Sequence, residues 1–290
     1  MSRRSPVAPV AAVALAALVV AGGCAGAGPS EADVALEAAA AQLAGVRSGT
    51  LQFRLVAGPA VGGDEPPQAA FELAGPFSLA EPGGLPVVDL EFTRVAGESR
   101  TTTQLISNGS RAFEVLDGTP YQFGFEETER LRAPRQFRGD EGFAGLRVDR
   151  WSSDPRLEAG EVGDAPTQRI TSDVDVVHAL NDVFTFAANL GAGHVGRPEI
   201  TAEVADALRR LTDSATLELV VGADDRHVRG LSVHVRLRTP LPEPVRAALG
   251  PLAAASVRLF LAVEEPNTPV TVAAPEAPRP ASDRPRPAGG

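Results

Sequence analysis

Apolar and polar residues alternate strictly along several stretches of the chain, and this period of two is its dominant pattern. Leu51, Phe53 and Leu55 alternate with Gln52 and Arg54; Phe71 and Leu73 continue the pattern; Val88, Leu90 and Phe92 alternate with Asp89, Glu91 and Thr93. Such alternation predicts strands with one buried and one wet face. Asn108-Gly109 and Asp117-Gly118 then punctuate three further short segments, and both dipeptides suit tight turns because they tolerate positive φ. The alternation returns in the last third of the chain. Ala215, Leu217, Leu219 and Val221, then Leu231, Val233, Val235 and Leu237, then Val257, Leu259, Leu261 and Val263 form apolar rows, with Glu218, His234, Arg236, Arg238 and Arg258 on the opposite faces. Residues 222–225, Gly-Ala-Asp-Asp, join the first two of these as a hairpin.

Helical spacing appears between the strand runs. Ser30 is a fitting N-cap for a helix over 32–43, with Glu31 and Asp33 in its first turn and Gly45 as its stop. Asp173 and Asp175 precede a stronger helix in which Val176, Leu180, Val183, Phe184, Ala187 and Leu190 follow helical spacing, ended by Gly191 and Gly193. Thr201 caps a further helix to Leu211, and a short Pro-bounded helix covers about 243–249. Residues 126–160 are rich in charge and glycine and predict loops, one or two short helices, and a strand near Trp151; a short strand follows over 167–172.

About nine or ten antiparallel strands must bury their apolar faces. The hairpins exclude a mainly parallel sheet, and the helices are too few for a doubly wound one. The expected fold is α+β: a large curved antiparallel β-sheet with helices packed across its concave face. Small residues in the central helix (Ala179, Ala187, Ala188) predict space between helix and sheet, where an apolar ligand fits. Leu90, Phe92, Phe113, Val183, Phe184 and Ala187 are the candidate lining of that hydrophobic cavity; core packing alone would select the same residues.

The chain begins with a charged pair, Arg3-Arg4, followed by an apolar run over 7–20 and then Ala21-Gly22-Gly23-Cys24. That order is a secretory signal. With the one cysteine of the chain at the boundary, it resembles a bacterial lipoprotein signal, although Ala21 stands where that pattern usually has Leu. The resemblance implies cleavage before Cys24 and acylation there (palmitate among the acyl groups), which gives a stable anchor at about 0.8 kcal/mol per buried methylene. The expected organisation is a signal peptide over 1–23, a tether over 24–30, one domain over 31–273, and a disordered Pro/Ala/Arg tail over 274–290. The expected location is the extracytoplasmic face of a cell membrane.

Charge narrows the partners. The net charge is −10, and losing Arg3 and Arg4 with the signal leaves −12. This argues against nucleic acid and against electrostatic docking on anionic lipid. All 27 Lys/Arg positions are arginine, which accords with a GC-rich genome given the abundance of Ala, Gly and Pro.

Enzyme motifs are missing: there is no Gly-x-Ser-x-Gly, His-Glu-x-x-His, phosphate loop or dinucleotide fingerprint. Asp173, Asp175, His178 and Asp182 could be drawn as a metal cluster. Helix capping by the aspartates, with His178 paired to Asp182, explains them more simply. The expectation is no enzyme, no cofactor and no metal. One Trp and one Tyr disfavour a carbohydrate-binding surface.

The order of signal, short helix, strand run, helical middle and returning strand run is similar to the LppX/LprG-type actinobacterial lipoproteins, which share a half-barrel with the LolA carrier. Ser48-Gly49-Thr50 at the start of the first strand, and Gly222, Arg226 and Leu231 through Val235, carry the same likeness. The resemblance implies a monomer that binds a lipid or glycolipid and carries it across the envelope, with an envelope transporter as partner. The alternative is an envelope scaffold without a ligand; a hydrolase of unrecognised chemistry is a third reading.

Overall fold

The computed structural model describes residues 28–59, 67–81, 83–132, 143–162, 165–189 and 200–285. Its centre is one open sheet. The strands are β1 (Ser48–Gly58), β2 (Ala69–Ser78), β3 (Val87–Ala96), β4 (Ser99–Asn108), β5 (Ala112–Leu116), β6 (Thr119–Gln122), β7 (Ser152–Val162), β8 (Ala165–Val174), β9 (Thr212–Gly222), β10 (Val228–Leu237), β11 (Ser256–Glu264) and β12 (Arg279–Pro280). They lie in the order β12-β6-β5-β4-β3-β2-β1-β11-β10-β9-β8-β7. All neighbours are antiparallel except β12, which pairs parallel to β6. The helices are α1 (Glu31–Ala44), α2 (Phe125–Leu131), α3 (Val148–Trp151), α4 (Val176–Asn189), α5 (Ala202–Leu211) and α6 (Glu243–Leu249). The fold is α+β, a curved half-barrel with helices on its concave side.

The two ends of the chain's strand run meet at the middle of the sheet. β1 pairs β2 on one side and β11 on the other, so Leu51 lies opposite Val263, and Phe53 lies opposite both Leu261 and Leu73. Leu51, Phe53, Leu55 and Ala57 therefore share one face with Leu217, Leu219, Leu231, Val233, Val257 and Leu259, and all are buried in a single core. Leu36, Ala39 and Leu43 of α1 and Val183 and Phe186 of α4 close it from the other side. The apolar rows seen in the sequence are the inner layer of this core; at about 25 cal/mol per Å² its burial is the main stabilising term.

One glycine is dictated by close approach. Gly75 of β2 has φ +137°, and a Cβ there would lie 2.1 Å from the carbonyl oxygen of Asp89 in β3. The next residue, Pro76, has no N–H to give to the ladder. This close approach lies opposite Leu51 of β1 and beside Leu90 of β3.

The helix starts follow their capping residues. Ser30 and Asp33 form a reciprocal capping box on α1. Asp175 starts α4 by accepting the N–H groups of Val177 (2.9 Å) and His178 (3.1 Å). Thr201 caps α5 through the Val204 N–H. Asn108 holds its turn by accepting from the Ser110 and Arg111 N–H groups.

The strand expected near Trp151 is the 11-residue β7, which begins just after Trp151 ends the short α3. It is an edge strand with a mostly exposed burial pattern, so alternation does not reveal its length. One expectation is corrected. The segment from 274 is not a disordered tail through residue 285. Asn267 accepts the Arg47 N–H (2.8 Å) and gives its own N–H to the Ser48 carbonyl (2.8 Å), and the chain then returns as β12 beside β6. Apolar content predicts order poorly here, because this strap is held by backbone hydrogen bonds and ion pairs.

Candidate functional site

The concave face carries a continuous row of phenylalanine rings. Phe77 meets Phe143 (5.7 Å between centroids), Phe143 meets Phe186 (5.7 Å), Phe186 meets Phe53 (5.0 Å), Phe53 meets Phe71 (6.0 Å) and Phe71 meets Phe92 (4.5 Å). The pairs are tilted or edge-to-face, the arrangement the ring quadrupole favours. β1, β2 and β3 supply four of the rings, α4 supplies Phe186, and the segment before α3 supplies Phe143. Burial falls along the row. Phe77, Phe143 and Phe186 are fully buried, and Phe53 is 3% exposed, whereas Phe71 and Phe92 are only half-buried. Leu105 of β4, directly opposite Leu90, is likewise half-buried.

Beyond Phe71 and Phe92 the concave face becomes polar. Arg94 lies opposite Phe71 in β2 and Thr101 in β4, and Thr103 lies opposite Phe92. These positions share the inner face because directly opposed residues of neighbouring strands point the same way.

The six cavity positions expected from the sequence are not brought together. Leu90 and Phe92 are on the concave face, Leu90 fully buried and Phe92 at the half-buried end of the row. Val183 and Phe184 are buried in α4 as part of the common core. Ala187 lies in α4, with its side chain outside the described residues. Phe113 is a correction. Leu90 is opposite Leu105, which is opposite Glu114, so Phe113 and its partner Ile106 face the convex side. Phe113 is nevertheless fully buried there, with the Arg111 guanidinium 5.7 Å from its ring centre. Cys24 and His194 lie outside the described residues.

Sequence reasoning passed over Phe186, which stands three residues after Val183 on the same side of α4 and makes two ring contacts. Its spacing from Val183 is the signal that could have found it. Phe143 had no such signal, being isolated among glycines and charges.

The titratable residues form caps and surface pairs. Asp182 does not pair with His178; it accepts the Trp151 indole N–H (2.7 Å) and the Arg147 backbone N–H (2.9 Å). His178 instead stands 3.5 Å from Asp175, which it follows by one turn. His234 is on the convex face, opposite Arg258 and within 3.3 Å of the Ser256 hydroxyl. Partial burial, then Arg258 and Arg236, hold its pKa below the ordinary histidine value. Among the described residues no group of three or more His, Cys, Asp or Glu is placed to hold a metal ion. A cleft beside the end of α1, lined by Gln42, Val46, His227 and Leu261, has a volume of about 20 Å³. That is room for one water and far too little for an acyl chain.

No family model and no curated protein matches the chain. Solved structures similar to it include LprF from Mycobacterium bovis, at 11% identity and a TM-score of 0.48 over 85% of this chain and 98% of that one. Lipoprotein LppX from Mycobacterium tuberculosis follows at 11% identity and a TM-score of 0.40, over 83% of this chain and 97% of that one. A LolA superfamily protein from Nitrosomonas europaea is similar at 7% identity and a TM-score of 0.21, over 82% and 95%. At such identities the similarity concerns chain architecture, and it transfers no ligand or activity to this chain.

Proposed function

We propose that this chain is a lipid-anchored protein of the extracytoplasmic face of a cell membrane, binding a lipid or other hydrophobic ligand against the concave face of its sheet. It works without catalysis, as a monomer that takes up its ligand and passes it to an envelope transporter. The observation that carries the reading is the gradient along the phenylalanine row. A row serving only as core would be buried throughout; this one ends in half-buried Phe71 and Phe92 beside half-buried Leu105. An acyl chain laid there would extend the row and bury the apolar surface that these three residues leave open.

The anchor rests on the signal-like run ending at Cys24. Among the described residues no helix is long and apolar enough to cross a membrane. The tether from Cys24 to Ser30 is short, so α1 begins within about 25 Å of the acylated residue even when fully extended.

Two measurements test the reading. Radiolabelled palmitate should be incorporated into the wild-type chain and not into Cys24→Ala; an unlabelled wild type would sink the anchor. Native mass spectrometry of the full chain after mild extraction should show co-purifying lipid. A mass equal to the acylated protein alone would favour the scaffold without a ligand.

A further inference from the structure

The proposed site ends on a cation, Arg94 of β3. Arg94 is exposed on the concave face, one strand repeat beyond Phe92, about 6.7 Å along β3. Among the described residues it makes no ion pair. Glu72 of β2, which lies in the next register row, points to the convex face and is held there by Arg54 (3.0 Å) and Arg100 (3.7 Å). The inward carboxylate of β5, Glu114, is taken by Arg284 (3.4 Å). Every other inward position of β2, β3 and β4 around Arg94 is apolar or a hydroxyl: Ala69, Phe71, Phe92, Ala96, Thr101 and Thr103.

We propose that Arg94, flanked by the Thr101 and Thr103 hydroxyls, receives the anionic head group of a lipid whose acyl chain lies against Phe71, Phe92 and Leu105. This rests on the binding reading above and adds the ligand's class: an amphiphile with a phosphate or carboxylate next to its acyl chains. The chemistry matches at both ends. A guanidinium offers paired donors that fit a phosphate or carboxylate bidentately, and its methylene stem packs along apolar surface while the head stays wet. The chain's overall negative charge does not oppose this. Charges beyond about 8 Å are screened at physiological salt, so Arg94 and its uncharged neighbours set the local field.

The test uses the full chain, freed of bound lipid and incubated with equal amounts of dioleoylphosphatidylglycerol and dioleoylglycerol, which share acyl chains and differ in the head group. Retained lipid is counted by mass spectrometry. Wild type should retain the phospholipid over the neutral lipid by about fivefold, within the range of a single charge-assisted contact. Arg94→Lys should keep a preference. Arg94→Ala should bring the ratio near one by lowering retained phospholipid while retained dioleoylglycerol stays the same, and its melting temperature should match wild type because the residue is exposed. Inorganic phosphate at millimolar concentration should not alter the ratio; competition by it would overturn the lipid as the ligand. An unchanged ratio in Arg94→Ala would overturn the head-group site while leaving acyl binding standing. Retention of neither lipid by wild type would overturn both.

Discussion

Arg284 reaches back 157 residues to Glu127 with two parallel hydrogen bonds, Nη1 to Oε1 at 2.7 Å and Nη2 to Oε2 at 3.1 Å. The same guanidinium stands 3.4 Å from Glu114 and 4.7 Å from the centre of the Phe123 ring. It thereby fastens the returning C-terminal segment to β5 and to α2, a helix with no buried residue of its own. Burial pushes the Glu127 carboxyl up, but the Gly124 N–H and Arg284 outweigh it, and its pKa lies below the ordinary 4.5. A lowered carboxylate contributes stability that is present above the unfolded value and lost as pH falls through the folded one. Melting temperature should therefore fall with acidification between about pH 5 and 3, and Glu127→Gln should flatten that limb. Equal acid slopes in wild type and variant would show that the pair contributes nothing.

Trp151→Phe should cost about 1–3 kcal/mol, because it removes the indole N–H from Asp182 and leaves that part-buried carboxylate with the Arg147 N–H. For a chain of this size that corresponds to a fall of about 2–4 °C in melting temperature per kcal/mol, read by thermal denaturation.

Gly75→Ala should prevent stable folding or cost about 3 kcal/mol or more, since both the positive φ and the Asp89 carbonyl oppose a Cβ. Gly83→Ala is the control: its φ is also positive (+83°), but nothing stands within 4 Å of a Cβ there. It should cost about 1–2 kcal/mol from backbone strain alone. Chemical denaturation of the two variants gives the comparison, and equal losses would remove the close approach as the cause.

The phenylalanine row should divide into a structural end and a binding end. Phe186→Ala opens the packed core and should cost about 3–5 kcal/mol. Phe92→Ala, at the half-buried end, should cost about 1–2 kcal/mol by its smaller buried area, while lowering retained lipid several-fold. Denaturation and lipid counting on the same two proteins make the test. A Phe92→Ala protein that is no less stable and keeps its lipid would place the ligand elsewhere.

The sheet was legible in the sequence wherever one face is wet. β1, β3, β9, β10 and β11 each alternate, and their apolar rows form the buried layer. β7 was legible only as a strand near Trp151 and not in its full length, because an edge strand exposed along most of its length loses the contrast on which alternation depends. The strap from Asn267 to Arg284 was hidden for a related reason, its attachments being hydrogen bonds and ion pairs to residues about 160 to 220 positions away. For the site, Leu90 and Phe92 could be assigned from alternation within one strand. Phe113 could not, since which face a short strand turns inward depends on its register with β4 across the Asn108 turn. Phe186 was hidden because the stripe drawn through Val183, Phe184 and Ala187 leads round the helix away from the sheet-facing line of Val183 and Phe186.

The central claim is that acyl chains lie on the concave face at the exposed end of the phenylalanine row. Photocrosslinking with a diazirine-bearing fatty acid, followed by peptide mass spectrometry of the full chain, tests it most directly. Adducts should concentrate on β2, β3 and β4 at Phe71, Phe92 and Leu105 and should diminish when unlabelled phospholipid competes. Adducts at Phe260 on the convex face, exposed at 43%, or labelling that competitor leaves unchanged, would contradict it.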